Sequence, residues 1–392
     1  MISKILKILV NSTFIFFRPT KKKVIIYDNN YSELLVSYFK SYDILYTRFE
    51  KINIFILLKS FFINGFKNIH FNYKKTYINF VNPDLLITFT DNDLDFLQFK
   101  FKKIKKIAIQ GAYRRETFPD LFSILKYEKK KKKYNLDHIF CYGKSIGEYY
   151  QKYLNCTYTS IGSFKNNLFS IKEKKIERSI LFISQYRDVH TQKTKEYFFE
   201  YNDFKKFLSK TNFKKNQFTN LSRQDFYSHD KNIFRCLYLY SKEKNYKLFV
   251  LGEAKKNYQN EINFYKSISG NKFYYLMRRS KLDSYRKLDK FTVVTGIDST
   301  MLYEALSRDN KVIFFSGRRS SFKENHGYFG WPYNESQLGS FWTNKDDKKS
   351  IFKILDNVIK QRNLKKEQFN DNLILYDYKN SIFTNYLKKN CI

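Results

Sequence analysis

A chain of 392 residues, 43% hydrophobic and 19% aromatic, is too apolar to be disordered and long enough for two domains with full cores. Its 73 lysines and arginines outnumber 37 aspartates and glutamates, leaving a formal net charge of +36. Such a balance fits an anionic partner (nucleic acid, an acidic membrane surface or phosphorylated substrates), or compositional drift towards Lys, Asn, Ile, Phe and Tyr under an AT-rich genome.

Residues 1–23 join an apolar run to Lys4, Lys7, Arg18 and Lys21-Lys22-Lys23. The run is shorter than the ~20 residues of a membrane span. Asn11-Ser12-Thr13 interrupts it, and no small-residue cleavage site follows. It is predicted as a basic amphipathic helix lying in an anionic membrane interface, the alternative being a first helix packed on the domain. Residues 24–170 then read as a Rossmann-like domain. Val24–Tyr27 is a strand ending at Asp28, Ser32–Tyr42 a helix, Ile44–Arg48 a strand and Ile52–Phe62 a helix. Further strands are Leu85–Phe89, ending in Thr90-Asp91-Asn92-Asp93; Lys106–Gln110, ending at Gly111; and His138–Tyr142, ending at Gly143. Strands alternating with helices indicate a doubly wound parallel sheet. Ligands of such sheets bind beyond the carboxyl ends of the strands, which makes Asp28, Asp91, Gln110, Gly111 and Arg114 candidates to line a cleft. The lysine run at Lys129–Lys133 reads as a solvated face or as a contact for anionic lipid.

The polar stretch Ile171–Arg178 reads as a linker into a second domain, residues 171–347. Ser179–Ser184 is its first strand, stopping at Gln185-Tyr186-Arg187. Tyr197–Thr211 and Gln224–Lys242 follow as helices, and Lys247–Gly252 is a strand with Glu253 behind it. The most informative stretch is Phe291 to Gly317: a strand, the polar turn Gly296-Ile297-Asp298-Ser299-Thr300, a helix with Met301, Leu302, Ala305 and Leu306 at helical spacing, and a second strand, Lys311–Phe315. This is a parallel βαβ unit. Ser299 and Thr300 open its helix, where free N–H groups and the helix dipole favour an anion. Glu304 lies one turn further in, placed for a ribose diol, and Arg318 follows the second strand as a phosphate clamp. The plainer alternative makes Ser299 and Thr300 ordinary caps, Glu304 a solvated side chain and Arg318 part of a solvated turn. Residues 348–392 read as lysine-rich helices.

Several chemistries are excluded. No GxGxxG follows the first strand, and neither GxxxxGK[ST], GxSxG nor HExxH occurs, which disfavours dinucleotide oxidoreductases, P-loop NTPases, α/β-hydrolases and zinc proteases. Cys141, Cys156, Cys236 and Cys391 form no CxxC pair, so neither a zinc site nor a disulfide framework is expected, and a reducing cytosol is the expected compartment. The five histidines show no ligand spacing; His190, after a strand end, is a candidate general base. Asp91-Asn92-Asp93 is a poor match to a metal-binding DxD triplet. No nucleic-acid-binding motif accompanies the basic residues, so no specific nucleic acid is expected.

The segment DSTMLYEAL (298–306) resembles the nucleotide-binding corner in the second domain of GT-B glycosyltransferases, and more narrowly that of bacterial surface carbohydrate biosynthesis proteins. The resemblance extends to IAIQGAYR (107–114), GSFKNN (162–167) and GSFWT (339–343), and so spans roughly residues 24 to 345. Related sequences more often read QNGYR where Gln110-Gly111-Ala112-Tyr113-Arg114 stands here, so Gly111-Ala112 is a departure. The resemblance implies two Rossmann-like α/β domains facing a cleft, with C-terminal helices 348–392 crossing back to the first. It implies a glycosyltransferase that needs neither cofactor nor metal. The co-substrate is a nucleotide-sugar and the acceptor a glycan or polyprenyl-phosphate-linked molecule at the inner face of the cytoplasmic membrane. Asp298, Ser299, Thr300 and Gly252 would then surround the donor, with Glu304 on its ribose and Arg187 or Arg318 offsetting the charge of the leaving nucleotide. Asp28, Asp91 or His190 would deprotonate the acceptor hydroxyl. Two alternatives of the same fold remain open, a CDP-alcohol-dependent phosphotransferase and a sugar-nucleotide 2-epimerase, and one of another class, a basic RNA- or membrane-binding protein.

Overall fold

The short apolar runs become strands of two six-stranded, all-parallel sheets and one short two-stranded one. The computed structural model describes residues 10–65, 68–114, 121–127, 134–171, 174–187, 223–253, 258–297, 299–316, 339–361 and 374–390. It divides into a first unit, residues 1–112, 130–164 and 380–392, and a second, residues 113–129 and 165–379. His190, Asp298, Arg318, the lysine run at 129–133 and the expected helix at 197–211 lie outside the described residues.

In the first unit, β2 (Val24–Tyr27), β3 (Tyr42–Leu45), β5 (Leu85–Thr88), β6 (Lys105–Ile109), β7 (Asn135–Cys141) and β8 (Asn155–Ser160) form a sheet of order β3-β2-β5-β6-β7-β8. β2 and β5 are buried at every position, as interior strands of a sheet covered on both faces must be. Two expectations are corrected here. Ser32–Tyr42 is not an α-helix but two 3-10 turns, Ser32–Leu34 and Val36–Tyr38. Tyr31, at a left-handed φ of 61°, turns the chain into them, and this tight path buries Leu35 and Phe39 against the sheet. The described part of the N-terminal segment is likewise no continuous helix. Thr13–Ile15 is a strand, β1, paired in parallel with β4 (Lys51–Asn53), because Thr, Phe and Ile suit a strand and Thr13 N–H finds Glu50 O at 2.9 Å. β4 leads into α1 (Ile54–Asn64), capped by Asn53, and α2 (Ile69–Val81) follows.

The last helix, α10 (Ser381–Lys389), also belongs to the first unit. Phe383 and Leu387 enter the core beside Phe140 and Phe164, and Asn380 donates to Phe164 O at 3.1 Å. Tyr386 stacks on the buried His138 with ring centroids 4.5 Å apart. Thr157 donates its hydroxyl proton to Asp137 O, so His138 must donate from Nδ1 to Thr157 Oγ1, 2.7 Å away. Burial, helped by Lys105, pushes the imidazole down to about 4 from an ordinary 6.5. A depressed pKa means that the unfolded chain takes up a proton that the folded chain refuses. Stability from this site is therefore complete above about pH 6.5 and is lost as pH falls towards 4, by about 2 kcal/mol at pH 5. Urea unfolding at pH 7 and pH 5 should show this loss in the wild type and not in His138→Gln.

In the second unit, β9 (Ile176–Ile183), β10 (Lys247–Leu251), β11 (Tyr274–Leu276), β12 (Phe291–Ile297), β13 (Val312–Phe315) and β14 (Trp342–Thr343) form a sheet of order β11-β10-β9-β12-β13-β14. β9 starts at Ile176, paired with Phe291, inside the stretch expected as a linker. α6 (Arg223–Glu243) and α9 (Lys348–Lys360) are joined by Tyr240 Oη donating to Asp356 at 2.8 Å. α8 (Thr300–Ser307) follows β12 and is buried from Met301 to Ser307. Arg308, directly after it, is buried in an ion pair with Asp289. Its guanidinium also donates to the carbonyls of Phe169 and Ser170, each at 2.9 Å. Asn166, from the GSFKNN motif, donates to Glu304 O at 3.2 Å and so satisfies a carbonyl of α8's last turn. Two of the family-like motifs are thus framework: GSFKNN anchors α8, and GSFWT runs into the edge strand β14.

Candidate functional site

Numbered by their own order along the chain, the strands of the second sheet run 3-2-1-4-5-6, and the direction of winding reverses between β9 and β12. The carboxyl ends of two strands whose connections leave in opposite directions open a crevice there, where α/β sheets of this order bind ligands. β9 ends in Ser184-Gln185-Tyr186-Arg187, β10 in Gly252-Glu253, and β12 at the start of α8.

α8 is made for this place. Ser299 sits at its N-cap in extended conformation, and its hydroxyl accepts from Met301 N–H at 3.3 Å. Thr300 Oγ1 accepts from Tyr113 N–H at 3.4 Å, and Tyr113 stacks flat on Tyr303 with centroids 4.1 Å apart. The positive end of the α8 dipole thus points to the carboxyl edge of the sheet. Arginines gather beside it. Arg278, two residues beyond β11, makes a 2.7 Å ion pair with Glu253, and its Nη2 lies 3.8 Å from Met301 Sδ in the first turn of α8. Arg187, from the end of β9, reaches the other oxygen of the same carboxylate at 3.4 Å. Two guanidinium groups share one carboxylate next to a helix N-terminus.

Glu253 is itself held through its backbone N–H by a side chain. Its N–H donates to both oxygens of buried Glu261, at 3.0 and 3.1 Å, and Glu261 also accepts from Tyr275 Oη at 2.8 Å. Burial pushes the Tyr275 phenol up and Glu261 adds to it, so Tyr275 remains a proton donor. Gly252 is required by this packing, since a Cβ there would lie 1.9 Å from Tyr275 Oη. Glu304 is not a solvated side chain. It is buried, and Tyr285 Oη donates to its Oε1 at 3.0 Å.

The first-unit candidates gather at the carboxyl ends of β2, β5 and β6. Asp28, at a left-handed φ of 79°, is buried; its Oδ2 accepts from Thr90 Oγ1 at 2.8 Å and from Arg48 at 3.1 Å. Asp91 is also buried and accepts from Gly111 N–H at 2.9 Å and Tyr150 Oη at 2.6 Å. Gln110 ties Tyr142 N–H to Ala112 O. Gly111 permits a close approach, because a Cβ would lie 2.6 Å from Phe89 O. Arg114 is half-buried and belongs to the second unit with Tyr113. The sequence alone does not single out Arg278, Glu253 and Tyr285 as ligand-binding residues. Its signal is an arginine pair, Arg278-Arg279, closely following an apolar run, and the meaning of that pair depends on the strand order.

Among the described residues, no group of His, Cys, Asp and Glu could hold a metal ion. No helix among them is long and apolar enough to cross a membrane.

A parallel sheet of Rossmann order, following a first parallel α/β unit in the chain, defines the class by its architecture: a GT-B-like fold. Residues 107–391 match the model of a family described as “putative O-antigen biosynthesis protein”, and the chain belongs to that family. It is a surface carbohydrate biosynthesis protein. Solved structures agree on the fold. The chain is similar to the wall teichoic acid polymerase TagF (H444N variant), with a TM-score of 0.53 at 10% identity, covering 94% of this chain and 89% of that one. It is similar to S. aureus MnaA in a UDP co-structure, with a TM-score of 0.51 at 11% identity, covering 94% and 97%. A “putative UDP-N-acetylglucosamine 2-epimerase” from Listeria monocytogenes gives 0.50 at 12% identity, covering 94% and 95%. No curated protein matches the chain in sequence.

Proposed function

We propose that this chain transfers a sugar from a nucleotide-sugar to a surface glycan or a lipid-linked acceptor. The observation that supports this most is the meeting of Arg187, Arg278 and the α8 N-terminus at the switch point of the second sheet. When a sugar leaves its nucleotide, negative charge grows on the diphosphate. Preorganised N–H groups and guanidinium forks stabilise that charge without a metal. In this reading Glu253 holds the arginines in place until the diphosphate takes over part of their hydrogen bonding. Glu304 would bind the ribose by exchanging Tyr285 for the diol. Asp28 or Asp91 would act as base only after giving up one of its present partners, and His190 is the remaining candidate.

A second reading, epimerisation of the sugar on its nucleotide or transfer of an alcohol phosphate from a CDP-alcohol, is favoured by the names of the proteins that share the fold, a 2-epimerase and a teichoic acid polymerase. The test is a thermal-shift series with CMP, CDP, UDP, GDP and dTDP, since a ligand of the native state raises the melting temperature. A selective shift with one nucleoside diphosphate, weakened roughly tenfold in apparent affinity by Glu304→Gln, fits the proposal. A response to CDP and CMP alone favours the alcohol-phosphate reaction. Inversion of a nucleotide-sugar with no acceptor present favours the epimerase. No response to any nucleotide contradicts all three.

A further inference from the structure

We infer that the outer face of α1, with the strand end beside it, is a docking surface for a bilayer of acidic phospholipid. The inference is independent of the transferase reading. α1 has the sequence IFILLKSFFIN, and while Ile56 and Ser60 are buried, Leu58, Lys59, Phe62 and Ile63 are exposed. Spacings of i, i+1, i+4 and i+5 put these four on one side of the helix. Phe16 and Phe17 stand near its first turn. Phe17 O accepts from the N-cap Asn53 at 2.8 Å, and Arg18 lies over the Phe55 ring at 4.7 Å. Leu58, Phe62, Ile63, Phe16 and Phe17 are between 51% and 84% exposed, and Leu58, Phe62 and Ile63 form an exposed apolar strip along α1.

The charges around the patch identify the partner. Neither residues 10–27 nor residues 51–83 contain an aspartate or glutamate, in a chain with 37 of them, and the carboxylates packed against α2, Asp43 and Asp95, are engaged by Tyr77 and by Lys74 and His70. Lys59 lies over the Phe80 ring at 5.1 Å and, with Lys75 of α2, lines a groove of about 440 Å³ along with Asn72, Thr76 and Asn79. Two lysines and three amide or hydroxyl side chains next to Ile63 and Phe80 suit a lipid phosphate whose chain lies alongside the apolar face. Aromatic and aliphatic side chains enter the interface while flanking lysines meet the anionic headgroups, which is how peripheral proteins bind acidic membranes. A soluble protein partner of opposite charge would complement the lysines, but it would need its own apolar patch for the phenylalanines; a bilayer supplies both.

Co-sedimentation of the full chain with vesicles of phosphatidylcholine alone, and of phosphatidylcholine with phosphatidylglycerol, tests this. Binding to the phosphatidylglycerol vesicles is expected. It should fall roughly tenfold in Leu58→Gln/Phe62→Gln/Ile63→Gln and also in Lys59→Glu/Lys75→Glu, with melting temperatures unchanged because these side chains are exposed. The apolar variant separates this surface from the general attraction of a chain of net charge +36 to anionic vesicles. Equal binding by wild type and apolar variant, or no binding by the wild type, overturns the proposal. A drop in oligomer size in the apolar variant, with vesicle binding intact, overturns it in favour of a second copy of this chain.

Discussion

Arg308→Met should destabilise the second unit by about 3–5 kcal/mol, the loss expected when one partner of a buried ion pair is deleted. The Arg308 guanidinium is buried and serves several partners at once: Asp289, the carbonyls of Phe169 and Ser170, and Asn166. Asp289 in turn accepts from Asn310 at 2.8 Å. Removing the arginine leaves a buried carboxylate with its main counter-charge gone and two carbonyls without their donor. Deleting one partner of such a pair costs far more than the pair contributes in net terms. Thermal unfolding should show a fall of roughly 10 °C. Arg308→Met/Asp289→Leu should recover much of it, since the uncompensated charge is then gone. A single variant as stable as wild type would mean that the hub does not hold α8 against the segment 166–170.

Arg278→Ala should weaken nucleoside diphosphate binding by roughly tenfold to a hundredfold, as expected for loss of a charge-assisted contact of about 1.5–3 kcal/mol. The loss has two sources. A guanidinium fork disappears from beside α8, and Glu253, deprived of its 2.7 Å partner, then presents a carboxylate to the phosphates. Arg278→Lys should recover only part of the affinity, because an ammonium group cannot serve two oxygens in a plane. Arg278→Ala/Glu253→Gln should bind better than Arg278→Ala, and isothermal titration with the nucleotide found in the thermal-shift series measures both. A double variant no better than the single would mean that Glu253 does not face the phosphates. Arg187, exposed and 3.4 Å from the same carboxylate, should matter less.

Much of the fold could be read from short apolar runs. Val24–Tyr27 and Leu85–Thr88 are strands within a residue of expectation, because both faces of each strand are buried and the run of Val, Ile and Leu ends where burial ends. The βαβ unit around Ser299 was legible for the same reason, with a Ser cap at its turn. Segments whose apolar residues serve local contacts were not. Ser32–Tyr42 carries Leu34, Leu35, Tyr38 and Phe39 at helical spacing, yet the left-handed Tyr31 fixes a tighter path. Thr13–Ile15 looks like part of an apolar helix until β4 provides a strand to pair with. For the site, the helix start and Arg187 were visible in the residues themselves, whereas Arg278 matters only because the strand order brings the end of β11 into line with β10 and β9. Glu304 was recognisable as unusual by position; its burial against Tyr285 depends on the 3-10 turn at Asp283–Arg286, which has no signature in the residues.

Hydrogen exchange of the wild-type protein, with and without a saturating nucleoside diphosphate, reports where the nucleotide sits. Bound nucleotide should slow exchange of backbone amides at residues 184–187, 252–253 and 299–304, the carboxyl ends of β9 and β10 and the opening of α8. Nucleotide-dependent protection that leaves these three segments unchanged would contradict that placement.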